Sequence, residues 1–157
     1  MDIPRLIERL KLDEGWSAVI YIDDTGNLTI GFGYNLGKLI LPEGIDLKLV
    51  SVKPVNGISK EIGELLLSGF LMKLLIDLTI KLPWLKNLDD VRQRVIANMA
   101  YNLGVDGLLL WPIFLRQTRN GEWLKAAHNM RSTRWFRQVG SRGRRLANMM
   151  ETGKDPE

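Results

Sequence analysis

Apolar residues recur at helical spacing in residues 3–14, where Ile3, Leu6, Ile7 and Leu10 share one face. Asp2 is placed to cap the first turn, Pro4 is tolerated inside it, and Gly15 is a natural stop. The period then changes. Ser17–Ile22 and residues 27–32 are rich in β-branched and aromatic side chains, and Asp23-Asp24-Thr25-Gly26 between them is turn chemistry, so a β-hairpin is predicted. Gly31 and Gly33 loosen the backbone behind it, and residues 34–57, with Gly37, Pro42, Gly44, Pro54 and Gly57, are expected to be loop with room for one short strand. Helical patterning returns after Ser59, a suitable cap for a long apolar helix over residues 60–82 that Pro83 stops. Asp89 or Asp90 opens a further helix, with Val91, Val95, Ile96, Met99 and Leu103 as its buried stripe and Gly104 as its end. More helices are expected over Pro112–Arg119, over residues 122–130, and within residues 143–150.

The pattern implies a predominantly helical α+β chain folded as a single domain. A small N-terminal hairpin lobe spans about residues 14–58, and a long connecting helix spans about 59–82. A larger all-helical lobe spans about 83–157 and takes in helix 3–13. Between two such lobes a cleft is the expected place for a ligand.

Composition narrows the chemistry more than the fold. The 157 residues are 45% hydrophobic and 25% charged, ordinary for a globular chain with one good core. There is no cysteine, which excludes thiolate metal sites and disulfides, and a sole histidine, His128, argues against a His-based metal cluster or a triad with a His base. Carboxylates, hydroxyls and arginines must carry any reaction, and no metal or cofactor is expected. The greasiest stretch, residues 65–82, is interrupted by Lys73, Asp77 and Lys81, which favours a buried helix over a membrane span. Residues 1–15 lack the uninterrupted apolar core of a secretory signal, so the expected location is the cytoplasm where the chain is made. Net charge is +4 and unevenly spread: residues 116–145 hold nine Lys/Arg against the single acid Glu122. A basic half of this kind attracts a polyanion, whether nucleic acid, anionic lipid or an acidic wall polymer.

Two carboxylates stand out. Glu14 falls at the C-terminal end of the first helix, where the macrodipole is negative, and Asp13 adds a like charge. Both effects disfavour ionisation and would suit a general acid. Taken alone, a Glu at a helix end is usually a solvated surface group. Asp23 stands where the first strand enters its turn, and Thr29, six residues on, lies in the returning strand. An Asp there ordinarily bonds turn amides. The alternative is a second carboxylate facing Glu14 across a sugar, with the Thr29 hydroxyl helping to hold a water.

Taken together, Asp13-Glu14-Gly15, Tyr21, Asp23, Gly26 and Thr29-Ile30-Gly31-Phe32-Gly33 resemble the N-terminal signature of phage-type lysozymes, the endolysin family of T-even phages. Asn98-Met99, Asn102-Leu103-Gly104 and Arg134-Trp135 continue the resemblance, which extends from Ile3 to about Thr152. It implies a lysozyme-like fold and hydrolysis of the β-1,4 bond between N-acetylmuramic acid and N-acetylglucosamine in bacterial peptidoglycan. It also implies roles: Glu14 protonates the leaving oxygen, while Asp23 and Thr29 activate water on the opposite face, with inversion. Tyr101 and Asn129 match sugar-contacting positions, and Arg142 matches an arginine that approaches the catalytic Glu, where its charge would oppose the helix-end effect. Asn98 and Asn102 are candidate supporting groups. The chain departs from some relatives at Asn35, where they carry an apolar cleft residue, at Phe114, where they carry a small hydroxyl, and at Tyr34, where they carry His. Asn35 and Phe114 are accordingly counted with Tyr101 and Asn129 as substrate-binding candidates. The resemblance further implies a monomer, held in the host cytoplasm until a separate holin admits it to the wall, with no membrane insertion and no nucleic-acid partner.

Three rivals compete with this reading. Arg142-Gly143-Arg144-Arg145 with Trp135 and Phe136 is the support for a nucleic-acid-binding helical domain, although a solvated basic face over core aromatics explains the same residues. A non-catalytic sugar-binding or tail-structural module has no need of Glu14, Asp23 and Thr29 together. A lytic transglycosylase would need only one acid. Trp84, Trp111, Trp123 and Trp135 are expected to pack the helical lobe rather than present a sugar platform.

Overall fold

The computed structural model describes residues 1–23, 26–38 and 57–156. Helix α1 (Ile3–Glu14) is followed by strands β1 (Ser17–Ile22), β2 (Leu28–Gly31) and β3 (Tyr34–Asn35), a 3-10 turn at Leu36–Lys38, and the long helix α2 (Lys60–Lys81). A second 3-10 turn (Pro83–Asn87) leads to α3 (Asp90–Leu103), α4 (Val105–Leu109), α5 (Pro112–Arg119), α6 (Trp123–Ser132), α7 (Arg134–Val139) and α8 (Ser141–Thr152). The fold is predominantly helical α+β, with one small antiparallel sheet in the order β1-β2-β3. Residues 39–56 of the loop expected over 34–57, and the turn residues Asp24 and Thr25, lie outside the described residues. Among the described residues no helix is long and apolar enough to cross a membrane.

The chain forms two compact units, Ile7–Phe70 and Met1–Leu6 with Leu71–Glu157. In the first, α1 ends where Gly15 turns to φ +70° and its N–H closes on the Lys11 carbonyl at 3.1 Å. The β1–β2 pairing matches Tyr21 with Thr29 and Ile22 with Leu28, and its register shifts between Ser17 and Tyr21. Gly31 allows a close approach to α2: a side chain there would meet the Gly63 Cα at 3.5 Å. The Trp16 ring fills the space beside Gly63 and tilts against Phe32 with ring centroids 4.8 Å apart. Lys11 bonds Glu8 at 2.9 Å and also reaches Glu64, tying α1 to the first turns of α2.

The second unit is organised around α3, whose residues from Val95 to Ala100 are almost wholly buried. Asp89 caps that helix by accepting the Arg92 N–H at 3.0 Å. Burial continues round most of α3, beyond the single stripe expected, so two arginines are enclosed and need partners. Arg92 donates to the Met150 carbonyl at 2.8 Å and lies 4.1 Å above the Trp123 ring, and Arg94 makes a two-pronged pair with Asp155. These contacts fasten the chain end to the centre of the unit. The long α2 buries Leu67, Leu71, Leu74 and Leu78 on one face while Ile62, Leu65, Met72, Ile76 and Ile80 remain exposed on another.

Candidate active site

The hairpin fixes Asp23 through its backbone before any side chain is considered. The Asp23 N–H donates to the Asn27 carbonyl at 2.9 Å, and the Gly26 N–H donates to the Asp23 carbonyl at 2.9 Å, with Gly26 at φ +84°. The carboxylate is then gripped from the same turn: the Asn27 N–H donates to Oδ1 at 2.9 Å, and the Asn27 amide nitrogen lies 3.4 Å from both oxygens. Thr29, 2% exposed, sets its Oγ1 3.2 Å from Asp23 Oδ2 and 3.2 Å from the Asn27 carbonyl. The expected approach of hydroxyl to carboxylate is present. Asn27 contributes to this grip and was not among the expected site residues; an Asn closing a turn begun by an Asp four residues earlier was the available signal.

Tyr21, Thr29 and Asn35 are register partners across the three strands and so share one face of the sheet. The Asn35 side-chain oxygen accepts the Gly37 N–H at 2.8 Å, which starts the 3-10 turn, so that oxygen has a structural role. Glu14 is the last residue of α1 and is half-buried. Its carboxylate lies against the backbone of Gly33, the glycine between β2 and β3, so that a Cβ at Gly33 would fall 2.7 Å from Glu14 Oε2. Glu14, Asp23, Thr29 and Asn35 therefore all belong to one compact unit.

The remaining candidates lie in the other unit. Arg142 is buried and donates from Nε to the Asn98 side-chain oxygen at 2.9 Å, and from a terminal nitrogen to the Asn98 carbonyl at 3.1 Å. Asn102 accepts the Trp135 indole N–H at 2.8 Å, which gives this buried ring its polar partner. Tyr101 is buried at 8% exposure, and Asn129 is half-buried with its carbonyl accepting the Ser132 hydroxyl at 2.8 Å. Phe114 corrects the expectation of a substrate contact: it is fully buried, edge-on to Trp111 at 5.9 Å, in the stripe Phe114, Leu115 and Thr118 that seats α5. A ring with no exposed surface cannot meet a sugar without repacking this helix. Trp111 is also edge-on to Trp135 at 5.5 Å, so the aromatics here pack against one another.

The arrangement at the hairpin is a carboxylate with a fixed orientation and a buried hydroxyl on one of its oxygens. Such a pair can order and polarise a water molecule. In the same unit, Glu14 is a carboxyl group at a helix end, packed on backbone.

No protein-family model matches the chain. Probable T4-type lysozyme 1 of Dictyostelium discoideum is 30% identical over 159 aligned positions, covering 93% of each protein. Probable T4-type lysozyme 2 of the same organism is 28% identical, covering 96% of each. Pre-baseplate central spike protein Gp5 of Enterobacteria phage T4 is 26% identical over 94% of this chain, which matches only 28% of that longer protein. With 30% identity along nearly the whole of both sequences, the chain belongs to the T4-type lysozymes and is a lysozyme-like cell-wall hydrolase.

Proposed function

We propose that this protein is an endolysin that hydrolyses the β-1,4 bond between N-acetylmuramic acid and N-acetylglucosamine in bacterial peptidoglycan. The observation that carries this reading is the held carboxylate: Asp23 fixed by Asn27, with the buried Thr29 hydroxyl 3.2 Å from Oδ2. In the proposed reaction Glu14 gives its proton to the glycosidic oxygen as the bond to the anomeric carbon breaks. Asp23 takes a proton from a water that Thr29 helps to orient, and the oxygen of that water bonds to the anomeric carbon from the opposite face. The product sugar carries a new hydroxyl of inverted configuration, and the next turnover requires Glu14 to regain a proton and Asp23 to lose one. The division of labour needs two carboxylates and a hydroxyl, and no metal.

The substrate contacts proposed for Tyr101, Asn129 and Asn35 would supply stacking and amide hydrogen bonds to the sugar, with Arg142, Asn98 and Asn102 supporting them. The enzyme would act as a monomer on peptidoglycan, wait in the host cytoplasm, and reach the wall when a holin opens the membrane. The basic C-terminal half would favour approach to an anionic wall, with nucleic acid not a partner.

Digestion of purified peptidoglycan in water enriched in oxygen-18 tests the reaction. Hydrolysis places the label on the new reducing end, and nuclear magnetic resonance of the first-formed anomer reads the inversion. An anhydromuramoyl end without label would mean lytic transglycosylation, and an undigested wall would mean a binding module.

A further inference from the structure

We propose that Gly33 is a positioning residue for Glu14: its missing side chain is the socket in which the Glu14 carboxylate is seated. The inference rests on the reading of Glu14 as the general acid. Three atoms define the socket. A Cβ built on Gly33 would lie 2.7 Å from Glu14 Oε2, 3.3 Å from Cδ and 3.2 Å from Cβ. The first distance is shorter than Cβ atoms show in non-bonded contact, so something must shift, and the second-nearest atom, the Glu14 Cβ, is fixed to the helix backbone. Swinging the carboxylate aside would relieve the first contact but leave the one with the Glu14 Cβ. Any side chain at Gly33 therefore displaces the acid, the end of α1, or both.

Gly33 itself has little freedom to retreat. It links β2 to β3, and Ile30 pairs with Tyr34 on either side of the connection. Phe32, its neighbour, is buried against Trp16. Its φ of +69° is a conformation that glycine adopts and other residues rarely do. The backbone shape and the empty space are separate reasons for glycine, and the structure supplies a control that separates them. Gly31, two residues earlier, has φ +68°, yet the nearest atoms to a Cβ there belong to Ile58, Gly63 and Trp16, at 3.4 Å or more. Alanine at Gly31 bears nearly the same backbone strain without touching Glu14.

The test places Gly33→Ala and Gly31→Ala each in two backgrounds, the natural chain and Glu14→Ala, and measures urea midpoints for all. Gly33→Ala is expected to lower the midpoint markedly in the natural background and clearly less beside Glu14→Ala, where the carboxylate is gone. Gly31→Ala is expected to lower it equally in both. On solubilised peptidoglycan fragments, Gly33→Ala should reduce kcat about 100-fold, the usual consequence of a misplaced catalytic group. Its KM should stay within about threefold, because the acid acts on the transition state more than on binding. Equal destabilisation by Gly33→Ala in both backgrounds, or a kcat within twofold of the natural enzyme, overturns the proposal. Should Gly33→Ala fail to fold, folding restored by Glu14→Ala supports the socket and continued failure overturns it. An inactive natural enzyme would instead sink the reading of Glu14 as an acid, and the coupling measured in urea would stand apart from that result.

Discussion

Replacing Thr29 with Val keeps a β-branched side chain in a site that is 2% exposed and deletes only the hydroxyl. That hydroxyl has one proton and two acceptors, Asp23 Oδ2 and the Asn27 carbonyl, each at 3.2 Å. It donates to one of them at a time. A hydrogen bond to an ionised group contributes about 1.5–3 kcal/mol, and one to a neutral carbonyl about half as much. Both contacts here are longer than the ~2.7–2.8 Å typical between oxygens, which places the loss at the lower end, about 1.5 kcal/mol. Asp23 keeps the Asn27 N–H at 2.9 Å, so the carboxylate is loosened rather than orphaned. For a chain of this size 1 kcal/mol moves Tm by about 2–4 °C, so Thr29→Val should melt about 3–6 °C lower by calorimetry. Activity should fall much further, about 100-fold, because orientation of the attacking water depends on the lost hydroxyl. Thr29→Ser retains the hydroxyl and should keep most of the rate. If Thr29→Val digests peptidoglycan at the natural rate, the hydroxyl has no part in the reaction. An unchanged Tm would refute the hydrogen bond as well.

Acid stability has a specific source. Arg94 pairs with Asp155 through bonds of 2.7 and 2.8 Å, and the guanidinium hydrogen bonds hold the Asp155 carboxyl below its ordinary range. Because the folded value lies below the unfolded one, this contribution is complete above about pH 4 and is lost as pH falls through the folded value. Asp155→Asn should therefore cost about 1–2 kcal/mol at pH 7 and flatten the acid side of the Tm profile; an unchanged profile would refute the assignment. The proposed chemistry uses only carboxylates and a hydroxyl, so activity should be complete in excess EDTA, and a large loss would refute a metal-free mechanism.

Local signals that needed no tertiary context were legible in the sequence. Asp2, Ser59 and Asp89 each accept an amide in the first turn of the helix they were expected to start. The hairpin and the Asp23–Thr29 approach followed from six residues of spacing and a turn between. What escaped was short or doubly used. Thr133 ends α6 and caps α7 at once, so no loop marks the break between them, and the six residues of α7 are too few to show a period. Helix α4 is five residues with Gly107 in its middle, which lowers its own propensity and conceals it. Phe114 shows the opposite failure: resemblance assigns it to the substrate, while the structure buries it with Leu115 and Thr118 on the inward face of α5. The sequence marks Gly33 as a loosened backbone position and part of a motif, but an empty space has no sequence pattern until Glu14 is seen against it.

The most direct test of the two-carboxylate account is loss of turbidity in Gram-negative cells stripped of their outer membrane, comparing the natural enzyme with Glu14→Gln and Asp23→Asn. Circular dichroism and melting would show all three folded. Lysis by the natural enzyme and its absence in both folded variants is the result the account predicts. Lysis at the natural rate by both variants would contradict it.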